Sequence, residues 1–286
     1  MQNIEILDMS DLSNSTRDIE IQHPEYWTLQ LALETKAVQY MLYDIDEENS
    51  LKVGEIPLDF TAGGYLKALE NAIYDNPLLL NEYRSVRIMA HAQHFIVLPP
   101  EFEDPNDARS AFEAAFPDYE GDFTSCSLPR CKVNIGFEAP KGVVNFLERT
   151  FNMPPIVHHL YPLMEHYKHQ DENRDVSCLH LHLKRETSDL VMTANRNGLV
   201  MANTYPTPTP QDTIYFALHA FKTFGLDAKR DELLLTGDKQ LRDIVTPDLR
   251  KYVSYVMPAI MPAAALQIGQ DAVKAPLELI LLALCE

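Results

Sequence analysis

Leucine alternates with other residues in two segments that lie far apart in the chain. In residues 26–35, YWTLQLALET, the alternation places Leu29, Leu31 and Leu33 on one side of an extended backbone. Residues 176–184, VSCLHLHLK, repeat the arrangement with three more leucines. A period of two is typical of a β-strand with one buried face. The pattern therefore predicts the same half-buried strand at two places.

Two further strand-like segments follow each of these strands. They are 38–43 and 51–56 in the first half and 190–195 and 199–204 in the second. The polar run DIDEEN separates the first pair, and Asn197-Gly198, which favours a tight hairpin turn, separates the second. The sequence thus predicts an antiparallel three-strand meander twice.

Helices and strands then alternate after each meander. A helix is expected after Gly63-Gly64, and another after Thr209, where Pro210 and Asp212 complete the signature of a capping box. Further elements follow: a strand pair in 85–98, a helix from Asp104-Pro105, strands at 132–137, 232–236 and 252–256, and helices at 142–151, after Lys239 and at the end of the chain. The order β-β-β-α-β-α-β-α, run twice, predicts an α/β protein of two domains, 1–170 with a polar lead-in and 171–286.

Charge and composition limit the classes of molecule that this protein could bind. The chain has 42 acidic and 24 basic side chains and a net charge of −18, which repels nucleic acid and anionic membrane surfaces. The charge keeps the protein soluble, or alternatively it marks a basic protein partner. The acidic, interrupted first residues indicate no export, and the sequence has no run of apolar residues long enough to span a bilayer and no CxxC pair among four cysteines. We therefore expect a cytoplasmic protein with free thiols.

The duplicated unit and the ending PLELILLALCE resemble the actin-like ATPase fold, a ribonuclease H-like fold shared by sugar kinases, Hsp70-type chaperones and pilus-assembly ATPases. More narrowly, the chain resembles an uncharacterised bacterial family assigned that fold. The resemblance implies a mixed sheet in each domain and a crevice between the domains. In the members that hydrolyse nucleotide, this crevice takes ATP with Mg²⁺.

The phosphate-binding signature of those members is missing. They hold the phosphates in two glycine-containing turns with a DxGxT-like pattern, whereas the corresponding turns here read ETKAV from Glu34 and KRETSDL from Lys184. The adenosine-side signature has one partial match, Thr236-Gly237, followed by Asp238 where a second glycine would stand. These residues are candidates for an adenosine contact, or they form an ordinary strand-to-helix turn with Asp238 as the N-cap.

His180 and His182 form the most metal-like group in the sequence, because they point to the same face of a strand together with Cys178. A metal site needs further ligands that this segment does not supply, so the alternative is two packed histidines. The histidine-rich run HHLYPLMEHYKH contains no HExxH, and the GxSxG, GxxxxGK[ST] and GxGxxG templates are also absent.

These observations favour a binding or assembly module of actin-like fold that lacks a working phosphate site, has no resident cofactor and takes another protein as its partner. The alternative is an ATPase that binds Mg-ATP through divergent phosphate loops. A third hypothesis is a metal-dependent enzyme centred on His180 and His182. The sequence leaves the oligomeric state open.

Overall fold

A computed structural model describes residues 20–47, 49–102, 104–172, 174–194, 198–259, 261–269, 272 and 275–285. The first half contains β1 (Thr28–Leu33), β2 (Ala37–Tyr43), β3 (Lys52–Pro57), α1 (Tyr65–Tyr74), β4 (Ser85–Ala90), β5 (Phe95–Leu98), α2 (Pro105–Ala115), β6 (Asp122–Leu128), β7 (Val133–Ala139), α3 (Val143–Thr150), β8 (Ile156–His158) and α4 (Leu160–Asp171). The second half contains β9 (Cys178–Leu183), β10 (Thr187–Ala194), β11 (Gly198–Pro206), α5 (Pro210–Thr223), β12 (Glu232–Gly237), α6 (Lys239–Leu249), β13 (Tyr255–Pro258), α7 (Ala265–Ile268) and α8 (Leu277–Leu284).

The two large sheets have the same topology. Their strand orders are β3-β2-β1-β4-β8 and β11-β10-β9-β12-β13. In each sheet the three-strand meander is antiparallel, and the next two strands run parallel to its first strand. The predicted meanders and the duplicated α/β fold are confirmed. Asn197, of the predicted Asn197-Gly198 turn, lies outside the described residues.

An insertion distinguishes the first half from the second. Strands β5, β7 and β6 form a separate antiparallel sheet with α2 between β4 and α3. The prediction of a plain repeat is therefore incomplete, and the strand pair expected in 85–98 is divided between two sheets. Strand β6, DFTSCSL, lacks a regular row of apolar residues, so periodicity did not reveal it. The N-cap at Asp104 is confirmed, since its carboxylate accepts a hydrogen bond from the Asn106 amide.

Both faces of the central strands are buried, so the expectation of a half-buried strand is wrong. Every residue of β1 and of β9 is buried. The leucine face of β1 packs against α1 and α3, and the leucine face of β9 packs against α5 and α6. The opposite face of β1 is covered by α8, which is distant in sequence, and that of β9 by α4, which ends at Asp171 shortly before the strand. Strand periodicity indicates neither helix.

Two helices cover the sheet of the other half. Helix α8 packs Leu279, Ile280 and Leu282 against the first sheet, where they meet Ala32 and Met41. Helix α4 lies between the inserted sheet and the second sheet, against β10 and β11. This exchange joins the two halves through shared cores. The domain boundary between residues 170 and 171 coincides with the end of α4 and stays a prediction.

Candidate functional site

A crevice of about 1340 Å³ separates the two halves. Two tight turns face each other across it, Glu34–Ala37 between β1 and β2 and Lys184–Thr187 between β9 and β10. In both turns the first amide donates to the last carbonyl oxygen over 2.9 Å. None of these turn residues has a positive φ, so the turns need no glycine. The resemblance to actin-like ATPases implies that these are the turns which hold phosphates in the nucleotide-binding members.

Reciprocal ion pairs join the two turns. Nζ of Lys184 lies 2.7 Å from Oε1 of Glu34, and Nζ of Lys36 lies 2.8 Å from Oε1 of Glu186. Each pair joins corresponding positions of the two turns, which are 150 residues apart and carry opposite charges. The Lys184–Glu34 pair is largely buried, with 18% and 20% of the side chains exposed, whereas 73% and 65% of the Lys36 and Glu186 side chains are exposed. We call these four residues the charge clasp.

The clasp continues into the floor of the crevice. Lys184 also lies 3.3 Å from Glu278 of α8, whose carboxylate is 3.0 Å from Nε2 of His182. Although burial alone lowers the pKa of the Lys184 ammonium, the carboxylates of Glu278, Glu34 and Asp189 raise it above its ordinary value. Burial raises the pKa of Glu278, but His182 and Lys184 outweigh it and hold that pKa well below its ordinary value. Lys184 therefore stays charged and binds two carboxylates from different halves of the molecule.

The adenosine-side candidates Thr236, Gly237 and Asp238 also line the crevice. The hydroxyl of Thr236 lies 2.8 Å from the Tyr167 hydroxyl and 2.9 Å from Nδ1 of His182. Asp238 accepts a hydrogen bond from the Leu241 amide over 2.9 Å, which confirms it as the N-cap of α6. Thr236 and Asp238 thus already make hydrogen bonds within the protein, and an adenosine contact stays a prediction.

Gly237 is required by the backbone. It has φ +82°, and a Cβ at this position would overlap the carbonyl oxygen of Leu183 in the paired strand β9. We expect Gly237→Ala to lower the free energy of unfolding by about 2–3 kcal/mol through strain and overpacking. Chemical unfolding of the variant, with Gly225→Ala as control, measures this. Gly225 also has a positive φ, but its Cβ would meet nothing, so equal losses in the two variants would contradict the overlap.

His180 and His182 lie on the face of β9 that α4 covers, and both are buried. Nε2 of His180 is 2.9 Å from Oδ2 of Asp171, which also accepts a hydrogen bond from Thr193. His182 bridges Thr236 and Glu278, so its two ring nitrogens contact different partners. No group of three or more His, Cys, Asp or Glu side chains in the described part of the chain is arranged to hold a metal ion.

A second pair of histidines joins half-buried His91 to buried His159, which belongs to the histidine-rich run at 158–169. His91 lines the crevice and stacks on His159 with ring centroids 4.2 Å apart. Nε2 of His159 lies 3.0 Å from the Thr204 hydroxyl and 3.3 Å from Oδ1 of Asp189. Burial, together with His159 and Lys184, lowers the pKa of His91 to about 3. The run was visible in the sequence, but its contact with His91 was not, because the two histidines come from separate elements.

The state of the cysteines and the character of the helices bear on two further expectations, free thiols and the lack of a membrane span. Cys126, Cys131, Cys178 and Cys285 are all free, and burial raises the pKa of each thiol to about 12. Within the described ranges, no helix combines the length and the apolar character that crossing a bilayer requires.

Solved structures share this fold at low sequence identity. A Bacteroides thetaiotaomicron protein with actin-like ATPase fold and unknown function is 20% identical, with a TM-score of 0.75 over 90% of this chain and 96% of that chain. A chain of the PilM-PilN type IV pilus biogenesis complex is 17% identical, with a TM-score of 0.51 over 89% of this chain and 97% of that chain. No curated protein matches the sequence. The fold is therefore the actin-like ATPase fold, and through the match of residues 16–256 to its model the chain belongs to the family described as "Protein of unknown function (DUF3822)".

Proposed function

We propose that this protein is a binding or assembly module of actin-like fold whose crevice does not take nucleotide phosphates. The observation that carries the proposal is the largely buried Lys184–Glu34 pair, which joins the two turns where the fold otherwise holds phosphates. The crevice is bridged at its floor by the protein's own side chains.

The chemistry of the turns opposes phosphate binding. A phosphate is held by backbone amides that approach it closely, usually at glycines. Here the amides of Glu34 and Lys184 donate within their own turns. The Glu34 carboxylate repels a phosphate, and the Lys184 ammonium already contacts Glu34 and Glu278. A nucleotide would have to break these contacts before any new one formed.

Another protein is the proposed partner, and the cytoplasm the proposed location. The location is supported by four unpaired cysteines, since thiols stay reduced in that compartment. A similar chain is part of the PilM-PilN type IV pilus biogenesis complex, which supports an assembly role for a chain of this fold. The net charge of −18 disfavours nucleic acid and anionic membrane as partners.

Millimolar Mg-ATP is expected to leave the thermal midpoint within about a degree of its value without ligand. A ligand at a hundred times its dissociation constant adds about 2.7 kcal/mol, which would move the midpoint by several degrees. Differential scanning calorimetry with and without Mg-ATP measures the shift. An upward shift of several degrees would support the alternative, an ATPase with divergent phosphate loops.

The control for a positive result is Lys239→Glu, which reverses charge beside the Thr236–Asp238 turn at a side chain that is 71% exposed. Loss of the shift in this variant would locate nucleotide at that turn. Gly237 does not serve this purpose, because its replacement strains the β9–β12 pairing.

For the metal-enzyme hypothesis, metal analysis of the purified protein is expected to find no stoichiometric ion.

A further inference from the structure

A smaller cavity adjoins the crevice on the side of the first half. It has a volume of about 170 Å³ and is lined by residues of α3 and of the strands β1, β4 and β8. Glu34, Thr35 and His91 line this cavity and the crevice alike. A chain that lies in the crevice can therefore place one side chain in the smaller cavity, which we call the side pocket.

The lining of the side pocket is mainly apolar. Eight of its twelve lining residues are apolar, among them Leu33, Val143, Val144 and Leu147. An apolar cavity of about 150 Å³ in another protein holds one benzene molecule. The side pocket therefore has room for a single six-membered ring.

The crevice itself does not select a ligand by charge. Five carboxylates and five lysine or arginine side chains line it, so its charges balance. Its volume of about 1340 Å³ exceeds the roughly 300–1,000 Å³ of typical small-molecule sites. An extended segment of a protein therefore fits the crevice better than a small molecule does, and the feature that distinguishes one segment from another is the ring in the side pocket.

One polar ring of the side pocket is available to a ligand. The Tyr65 hydroxyl donates to the Glu34 carbonyl oxygen over 2.9 Å, and the Glu34 carboxylate contacts Lys184. His91, in contrast, is half-buried and stacks on His159, and in the described part of the chain its ring makes no hydrogen bond.

The His91 imidazole is neutral at pH 7, because burial lowers its pKa to about 3. A neutral imidazole has one donor and one acceptor nitrogen. A ligand that removes water from this ring without forming a hydrogen bond loses affinity. The group that fits both the apolar lining and the imidazole is a ring that carries a hydroxyl, which is a phenol.

We propose that the side pocket receives a tyrosine side chain from an extended segment of a partner protein, and that the tyrosine hydroxyl donates to His91. The proposal rests on the proposed function as a binding module and names the side chain that anchors the partner. Aromatic side chains that fill a pocket often supply most of the affinity of an interface. The backbone of the segment then lies in the crevice.

The test is an NMR titration of the methyl-labelled full chain with p-cresol, the tyrosine side chain without its backbone. We expect the methyl resonances of Val143, Val144 and Leu147 to shift with a dissociation constant on the order of 1 mM, typical of so small a ligand. Toluene, which lacks the hydroxyl, is expected to bind about fivefold more weakly, or about 1 kcal/mol for one hydrogen bond. N-acetyltyrosine amide should bind at least as tightly as p-cresol, because its backbone lies in the crevice.

Val144→Trp fills the side pocket and is expected to weaken p-cresol binding about tenfold or more. Asn145→Trp is the matched control, because this neighbouring residue of α3 is exposed and lies outside the lining. In His91→Leu the preference for p-cresol over toluene should disappear, since the hydroxyl has lost its acceptor. Circular dichroism checks that each variant is folded, and the comparison of p-cresol with toluene in the wild type needs no variant.

The proposal is overturned if p-cresol causes no saturable shift, if toluene binds equally well to the wild type, or if Val144→Trp binds p-cresol like Asn145→Trp. Exclusion of N-acetyltyrosine amide would assign the side pocket to a free phenol, and an affinity that falls as the protein concentration rises would assign it to a second copy of this chain. Either result would also overturn the proposal. Stabilisation by Mg-ATP would contradict the proposed function, whereas the p-cresol titration judges the side pocket independently.

Discussion

Replacing Lys184 by methionine is expected to lower the free energy of unfolding by about 3–5 kcal/mol, the loss typical of removing one partner from a buried ion pair. Lys184 is the shared cation of Glu34 and Glu278, which come from the β1–β2 turn and from α8. Without it, two largely buried carboxylates face each other with no ammonium between them. Chemical unfolding at neutral pH measures the loss.

Lys36→Met is the matched control, because it breaks the corresponding pair at an exposed position. We expect a loss below about 1 kcal/mol, as for other exposed pairs. Glu34→Gln should lie between the two variants, since Lys184 then keeps Glu278. Equal losses in Lys36→Met and Lys184→Met would contradict the distinction between a buried and an exposed half of the charge clasp.

Acidification from pH 7 to about 4.5 is expected to destabilise the protein by several kcal/mol. Burial lowers the pKa of His91 to about 3 and that of His166 to about 4, and it holds the pKa of His158 well below its ordinary value. An unfolded histidine titrates near about 6.5. The stabilisation from keeping these imidazoles neutral is fully present above that pH and is lost as the pH falls towards the folded values, by about 1.4 kcal/mol per unit for each imidazole.

Two carboxylates add a second pH range, below that of the histidines, in which stability is lost. Burial raises the pKa of Asp189, but His159, His182 and Lys184 outweigh it and lower that pKa, and the pKa of Glu278 is lowered as well. Their contribution is present above the unfolded carboxyl pKa of about 4 and is lost below it. Urea unfolding at a series of pH values measures both windows. His91→Gln should reduce the slope of the free energy of unfolding against pH between about 4.5 and 6.5. A free energy of unfolding that stays constant over this range in the wild type would contradict the expectation.

Much of the fold could be predicted from the sequence because period-two leucines, hairpin turns and helix caps act locally. Leu29 to Leu33 and their counterparts in β9 located the two meanders, and Thr209 with Asp212 located the start of α5, where the capping box is confirmed. The buried second faces of the sheets could not be predicted in this way. Gln30 and His180 look like solvent-facing positions, yet both are fully buried, Gln30 under the distant helix α8 and His180 against Tyr167 and Asp171 of α4.

The candidate site could be predicted only in part from the sequence. Comparison of the two turns revealed the missing glycines. A signal for the charge clasp was also available, because Glu34 and Lys36 correspond to Lys184 and Glu186 with the charges exchanged. That ion pairs form between them depends on the packing of the two halves, which periodicity does not describe. The stacking of His91 on His159 likewise depends on tertiary structure alone.

The exchange of covering helices has a consequence for synthesis on the ribosome. The first sheet is complete in the nascent chain once β8 has emerged, but the helix that packs against its Ala32 and Met41 face is α8, which follows every strand of the described chain. Until α8 emerges, that apolar face has no permanent cover. We therefore expect the first core to mature only after α8 has been made, and its apolar face to stay exposed to aggregation until then.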